Sequence, residues 1–211
     1  MLQSISEGFN MKISIVTPCY YNGMNIPETY EVIKRDVFDV CKDIDFEWVL
    51  VDDGSKDDTL EQALKIQQKD SRAKIVKLSR NFGEFRAIVA GMSKATGDAV
   101  VVISADLQDP PELIPEMIES WKKGNLVNLA VRKGREESKL KNFFADTYYK
   151  LVRKWVEPNY PKRGFDFFLI DKRVADELVE MQEKNSSIYL QLIWLGYTPT
   201  EIEYTIERQI V

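Results

Sequence analysis

Four apolar residues, Val100-Val101-Val102-Ile103, run straight into Ser104-Ala105-Asp106-Leu107-Gln108-Asp109 and then Pro110-Pro111-Glu112. A strand with one wet face alternates apolar and polar side chains. A strand apolar throughout is covered on both faces, as in a parallel sheet between two helix layers. Two prolines suit the first turn of a helix, where a missing N–H costs nothing. The polar residues between them therefore sit at the carboxyl end of a buried strand, where open α/β sheets bind ligands. Asp106 and Gln108 offer the oxygen donors that a hard cation takes, and Asp109 is placed to cap the helix after it. A second stretch, Val49-Leu50-Val51-Asp52-Asp53-Gly54-Ser55, ends in the same way. Taken alone, Asp-Asp-Gly-Ser is also an ordinary turn with an Asx cap. Two acidic turns on one sheet edge point to a site for a metal and a nucleotide.

The rest of the chain repeats this alternation. Strands are expected at 13–17 (ended by Pro18), 46–51, 74–78, 99–103 and 126–131. Helices are expected at 26–40, from Ser55 or Asp57 to 69, at 83–95 and at 111–122. Asn25 and Glu28 are spaced as a near capping box for the first helix. This β-α-β-α order predicts a doubly wound, mostly parallel α/β sheet with helices on both faces. The second half reads differently. It holds one long amphipathic helix over 136–155, a loop at Pro158-Asn159-Tyr160-Pro161, an apolar strand over 165–170 with Asp166 inside it, helices at 172–182 and 188–195, and a last strand at 202–206. Residues 1–11 read as an N-terminal extension. Residues 12–211 read as one domain, with a nucleotide-binding half (12–135) and an acceptor half (136–211).

Composition removes several chemistries. The chain of 211 residues has no histidine, which excludes histidine bases, Ser-His-Asp triads and His–Cys zinc sites. Acid–base work then falls to Asp, Glu, Lys or Tyr. Two cysteines, Cys19 and Cys41, make no disulfide framework and fit a reducing compartment. The net charge of −5 argues against a nucleic-acid partner. No apolar run reaches the roughly 18 residues of a membrane span, and the first residues lack the features of a secretory signal.

Three arginines, Arg80, Arg132 and Arg135, each follow an expected strand, where a guanidinium suits bidentate phosphate contact. Arg132 and Arg135 are the better placed, because the strand over 127–131 delivers them to the ligand edge. Asp166 lies between Phe165 and Phe167. A carboxylate in that apolar setting needs a hydrogen-bonding partner or a catalytic task.

These residues also carry a resemblance. The blocks Ser14-Ile15-Val16-Thr17-Pro18-Cys19-Tyr20, Val51-Asp52-Asp53-Gly54-Ser55, Leu78-Ser79-Arg80-Asn81-Phe82-Gly83, Ala105-Asp106-Leu107-Gln108-Asp109-Pro110-Pro111-Glu112 and Asp166-Phe167 with Leu169-Ile170-Asp171-Lys172-Arg173 run in order along the chain. In these blocks it resembles the family 2 inverting glycosyltransferases of the GT-A fold, within them the polyprenyl-phosphate glycosyltransferases. The resemblance implies a nucleotide pocket lined by Pro18, Tyr20, Asp52, Asp53, Arg80 and Ala105. It implies Mg²⁺ or Mn²⁺ on Asp106 and Gln108, phosphate contacts from Arg132 and Arg135, and Asp166 at the reacting centre. It further implies a nucleoside diphosphate sugar, most simply a UDP-sugar, as donor and polyprenyl phosphate as acceptor. The expected place of action is the cytoplasmic face of a membrane, with attachment through a segment absent from this chain. Oligomerisation is left open. The alternatives are a family 2 transferase acting on a glycan hydroxyl and a degenerate nucleotide-binding scaffold. Three positions depart from the family pattern. Ser104 stands where an Asp is usual, Tyr21-Asn22 where Asn-Glu is common, and Phe168 where an Arg is frequent.

Overall fold

The structure is a computed structural model that describes residues 11–133, 154, 161, 165, 167–181 and 187–205. Seven strands form one sheet: β1 (Lys12–Cys19), β2 (Asp45–Asp52), β3 (Ala73–Lys77), β4 (Ala99–Val102), β5 (Val127–Arg132), β6 (Phe167–Asp171) and β7 (Pro199–Tyr204). Their order is β3-β2-β1-β4-β6-β5-β7. The β1–β2, β1–β4, β2–β3 and β5–β7 pairs are parallel, whereas β6 runs antiparallel to both β4 and β5. The helices are α1 (Ile26–Ile33), α2 (Thr59–Lys69), α3 (Glu84–Met92), α4 (Ile114–Lys122), α5 (Lys172–Glu180) and α6 (Ile188–Trp194). None of the described helices is long and apolar enough to cross a membrane.

Side-chain alternation along each strand separates two cores. Ile13, Ile15, Trp48, Leu50, Val101 and Ile103 pack with Ile26 and Ile33 of α1, Ile66 of α2, and Ile114 and Met117 of α4. Val16, Val49, Val51, Val100 and Val102 face the other way, onto Ala87, Ile88 and Met92 of α3, Leu178 of α5 and Leu192 of α6. Every residue of β4 is buried, as its unbroken apolar run requires. Gly91 lets α3 lie close on the sheet, since a Cβ there would stand 2.4 Å from Val16 Cγ1.

Four local expectations are corrected. First, β1 does not stop before Pro18 but continues through it to Cys19. Backbone groups alternate sides along a strand. Val16 O accepts from Ile103 N and Cys19 O from Asp53 N, so Pro18 turns its nitrogen toward the β4 side. The β4 ladder has ended there, at Val16–Val102, and the absent N–H breaks no bond. Second, the first helix is shorter. After Ile33 it continues as a π-helical turn, Lys34–Phe38, in which Val37 and Phe38 are both buried. Third, no capping box forms, because Asn25 is itself helical and its side chain caps nothing. Asn22 O already accepts from Asn25 N and Ile26 N. Fourth, Asp109 caps neither helical segment after it. It turns back to accept from Ser104 N at 3.1 Å. The expected helix over 136–155 and the loop over 158–161 lie outside the described residues, apart from Lys154 and Pro161.

At the amino-terminal edge of the sheet, Glu47 is 1% exposed. It accepts from Ser14 Oγ, Lys74 Nζ and both Thr96 N and Oγ1, with Lys12 Nζ at 3.0 Å. Burial alone would raise this carboxyl. The hydrogen bonds outweigh it and hold the group well below the usual carboxylate range. This network pins four segments at the end of the sheet opposite the acidic turns.

Candidate functional site

At the carboxyl edge, β1, β2 and β4 end side by side, and two adjoining cavities of about 260 and 370 Å³ open above them. Pro18, Glu84, Ser104 and Asp106 line both. The first also contains Tyr20, Asp53, Asn81 and Ala105. The second contains Gln108, Asp109, Arg132, Phe165 and Tyr189. One cavity is thus walled by the acidic turns, and the other adds a guanidinium and two aromatic rings.

The turn after β4 is built to present Asp106. Its ends are closed by the Ser104–Asp109 bond described above. Behind it, buried Thr29 donates to Ala105 O at 2.8 Å. Asp106 Oδ1 accepts from Gln108 N at 3.1 Å, and Leu107 between them has a φ of 57°. A branched apolar residue in the left-handed region costs on the order of 1–3 kcal/mol and persists only where the surroundings over-determine it. Such a conformation singles out the loop that carries Asp106 and Gln108.

The two carboxylates of the earlier turn do different work. Asp53, 2% exposed, accepts from Phe82 N at 2.7 Å and Gly83 N at 2.8 Å. It clamps the loop after β3 against the end of β2. Asp52 Oδ1 accepts from Ser55 N at 2.9 Å, whereas Asp52 Oδ2 is buried with no hydrogen-bond partner. An orphaned buried acceptor costs about 1–3 kcal/mol, and Asp52 Oδ2 carries that cost here. Gly54 makes the clamp possible. Its φ is +72°, and a Cβ there would stand 2.4 Å from the Arg80 carbonyl carbon.

The expected site residues fall into four groups. Pro18, Tyr20, Asp53, Ala105, Asp106, Gln108 and Arg132 line the cavities. Asp52 lines neither cavity and is 2% exposed. Arg80 reaches neither cavity, because its guanidinium stacks 4.1 Å from the Phe82 ring centre and donates to Asn81 O. Arg135 and Asp166 lie outside the described residues. Arg132 projects from the end of β5, with Nε 3.4 Å from the hydroxyl of Tyr204, its register partner on β7. Phe168 is fully buried, with Tyr189 at 6.0 Å and Phe165 at 6.1 Å between ring centres. An aromatic cluster therefore occupies the place where the resemblance expects an arginine.

Two cavity residues escape a sequence reading. Tyr189 comes from α6, far along the chain, and nothing in its local pattern separates it from a core aromatic. Glu84 has a faint signal, since it follows Asn81-Phe82-Gly83 directly and opens the helix after β3. Glu84 stays solvent-accessible, yet partial burial and then the Asp109 and Asp106 carboxylates push its carboxyl above the usual range.

The donor set bears on which cation would fit. Among the described residues no three Asp, Glu or Cys side chains converge to hold an ion unaided. One carboxylate and one amide on a shared cavity wall suit Mg²⁺ or Mn²⁺ that arrives on a diphosphate and completes its shell with phosphate oxygens and water.

Known proteins show the family and the fold of this chain. The chain is 42% identical to "Uncharacterized glycosyltransferase YkcC" of Bacillus subtilis (strain 168), over 95% of this chain and 62% of that protein. It is 35% identical to the bactoprenol glucosyl transferase of Shigella phage SfX, over 95% of this chain and 65% of that protein. It thus spans less than two thirds of the length of these relatives. Among solved structures, glucosyl-3-phosphoglycerate synthase from Mycobacterium tuberculosis in complex with UDP superposes with a TM-score of 0.67 at 17% identity, covering 94% of this chain and 72% of that one. Mannosyltransferase PcManGT from Pyrobaculum calidifontis, in complex with GDP-Man and Mn²⁺, superposes with a TM-score of 0.64 at 15% identity, covering 96% and 59%. These neighbours share the GT-A fold. Residues 14–179 match the family described as Glycosyl transferase family 2, and the chain belongs to that family.

Proposed function

We propose that this chain moves a sugar, with inversion, from a nucleoside diphosphate sugar to a polyprenyl phosphate at a membrane surface. The donor we propose is a UDP-sugar. The observation that carries the reading is the pair of adjoining cavities. The acidic turn borders both through Asp106, and Arg132 lines the second together with Gln108. The bactoprenol glucosyl transferase name of the phage relative supports the lipid-phosphate acceptor.

In this reading the nucleoside lies against Pro18 and Tyr20, and Asp52 Oδ2 accepts one of its N–H or O–H donors. Asp53 keeps the wall in place through Phe82 and Gly83. Asp106 and Gln108 would hold Mg²⁺ or Mn²⁺, which when bound would supply Lewis-acid neutralisation of diphosphate charge. Arg132, joined by Arg135, meets phosphate oxygens, for which a guanidinium fork is suited. A phosphate acceptor has a second pKa of about 6 and is mostly ionised at neutral pH, so it attacks without a strong base. Asp166 then orients the sugar or acceptor. Phe165 and Tyr189 give the second cavity an apolar side, which suits the first carbons of a prenyl chain.

The test is a panel of UDP-glucose, UDP-N-acetylglucosamine and GDP-mannose with a short polyprenyl phosphate and with free glycans, read as labelled product. The expected product is a sugar–phosphoprenol formed only with a divalent cation. Transfer confined to glycan hydroxyls would replace the proposed acceptor. Nucleotide binding without turnover on any pair would favour a scaffold.

A further inference from the structure

We propose that Glu84 supplies the second carboxylate for the divalent cation, the charge that Ser104 does not provide. This rests on the nucleotide-sugar reading of the site. Position 104 carries a hydroxyl whose Oγ is shielded from solvent and makes no hydrogen bond. It brings no charge to the turn. Glu84 arrives from a different element, the first residue of α3, and lines both cavities together with Ser104 and Asp106. The backbone leading into it is held, because Asp53 grips the two preceding N–H groups, those of Phe82 and Gly83.

An acid in the first turn of a helix also has an ordinary task, complementing the helix dipole. That role would change folding stability and leave cation affinity untouched, so the two are separable. The experiment is a Mn²⁺ titration of the chain by electron paramagnetic resonance in the presence of UDP, with a thermal melt and a metal-free UDP titration of each variant. Glu84→Gln is expected to weaken Mn²⁺ binding by about tenfold or more, the scale on which supporting groups tune a metal site. Its melt and metal-free UDP affinity are expected to hold. Adding Ser104→Asp to Glu84→Gln is expected to recover the Mn²⁺ affinity. Glu84→Asp keeps the charge and is expected to keep Mn²⁺ binding, which a purely steric role would not. Unchanged Mn²⁺ affinity in Glu84→Gln, with binding abolished in Asp106→Asn, would overturn the role of Glu84 and leave the nucleotide-sugar reading standing. Loss of UDP-sugar affinity with Mn²⁺–UDP affinity intact would also overturn it, by assigning Glu84 to the sugar. Absence of any Mn²⁺-dependent UDP binding in the unaltered chain would overturn both.

Discussion

Asp52 and Asp53 are chemically identical neighbours, yet the structure gives them opposite tasks, so one substitution separates them. In Asp53→Asn the shape is kept and the charge is lost. The carboxylate accepts two backbone N–H bonds at 2.7 and 2.8 Å from within the protein. Hydrogen bonds to a charged group contribute about 1.5–3 kcal/mol each, neutral ones about 0.5–1.5. The amide keeps one acceptor and points an NH₂ at the other donor. One bond is weakened and one is lost, although Gly83 N retains Asn81 Oδ1 at 2.9 Å. The expected cost is about 2–4 kcal/mol. For a chain of this size that is a fall in melting temperature of roughly 5–15 °C. The assay is urea unfolding followed by circular dichroism, beside calorimetric titration with UDP. Asp52→Asn should behave in reverse, with little change in the urea midpoint and a clear loss of UDP affinity. An unchanged midpoint in Asp53→Asn together with a loss of UDP affinity would refute the division of labour.

Two further predictions concern the frame that holds the site. Gly91→Ala gains up to about 1 kcal/mol of helix propensity, but its methyl meets Val16 and Val51 at 2.4 and 2.9 Å. Overpacking of about 1–3 kcal/mol should prevail and lower the urea midpoint, and a raised midpoint would show that α3 is free to retreat from the sheet. Glu47 has a folded pKa below its ordinary value of 4.5, so its contribution is complete above that pH and is lost as pH falls through the folded value. The urea midpoint should therefore drop on acidification below about pH 4.5, and Glu47→Gln should flatten that drop while costing about 2–3 kcal/mol at neutral pH.

The sheet was legible because burial on both faces leaves a direct trace, the apolar runs Trp48–Val51 in β2 and Ala99–Val102 in β4. The direction of β6 was not. Phe167-Phe168-Leu169-Ile170 is buried throughout, and an apolar run reads the same whichever way the strand points. The acidic turns were legible as turns, since polar residues after a buried strand have one place to go. Which oxygen in them stays available was not. Asp53 is spent on Phe82 N, 29 residues away, and local spacing carries no record of where that loop arrives. Arg80 illustrates the same limit. It follows a strand as a phosphate contact should, but the adjacent Phe82 ring holds its guanidinium instead.

The central claim is that the carboxyl edge binds a nucleoside diphosphate through a cation on Asp106. Calorimetric titration with UDP, with and without Mn²⁺, on the unaltered chain and on Asp106→Asn tests it directly. The account predicts Mn²⁺-dependent UDP binding that Asp106→Asn removes. Equal UDP binding by both proteins, indifferent to Mn²⁺, would contradict it.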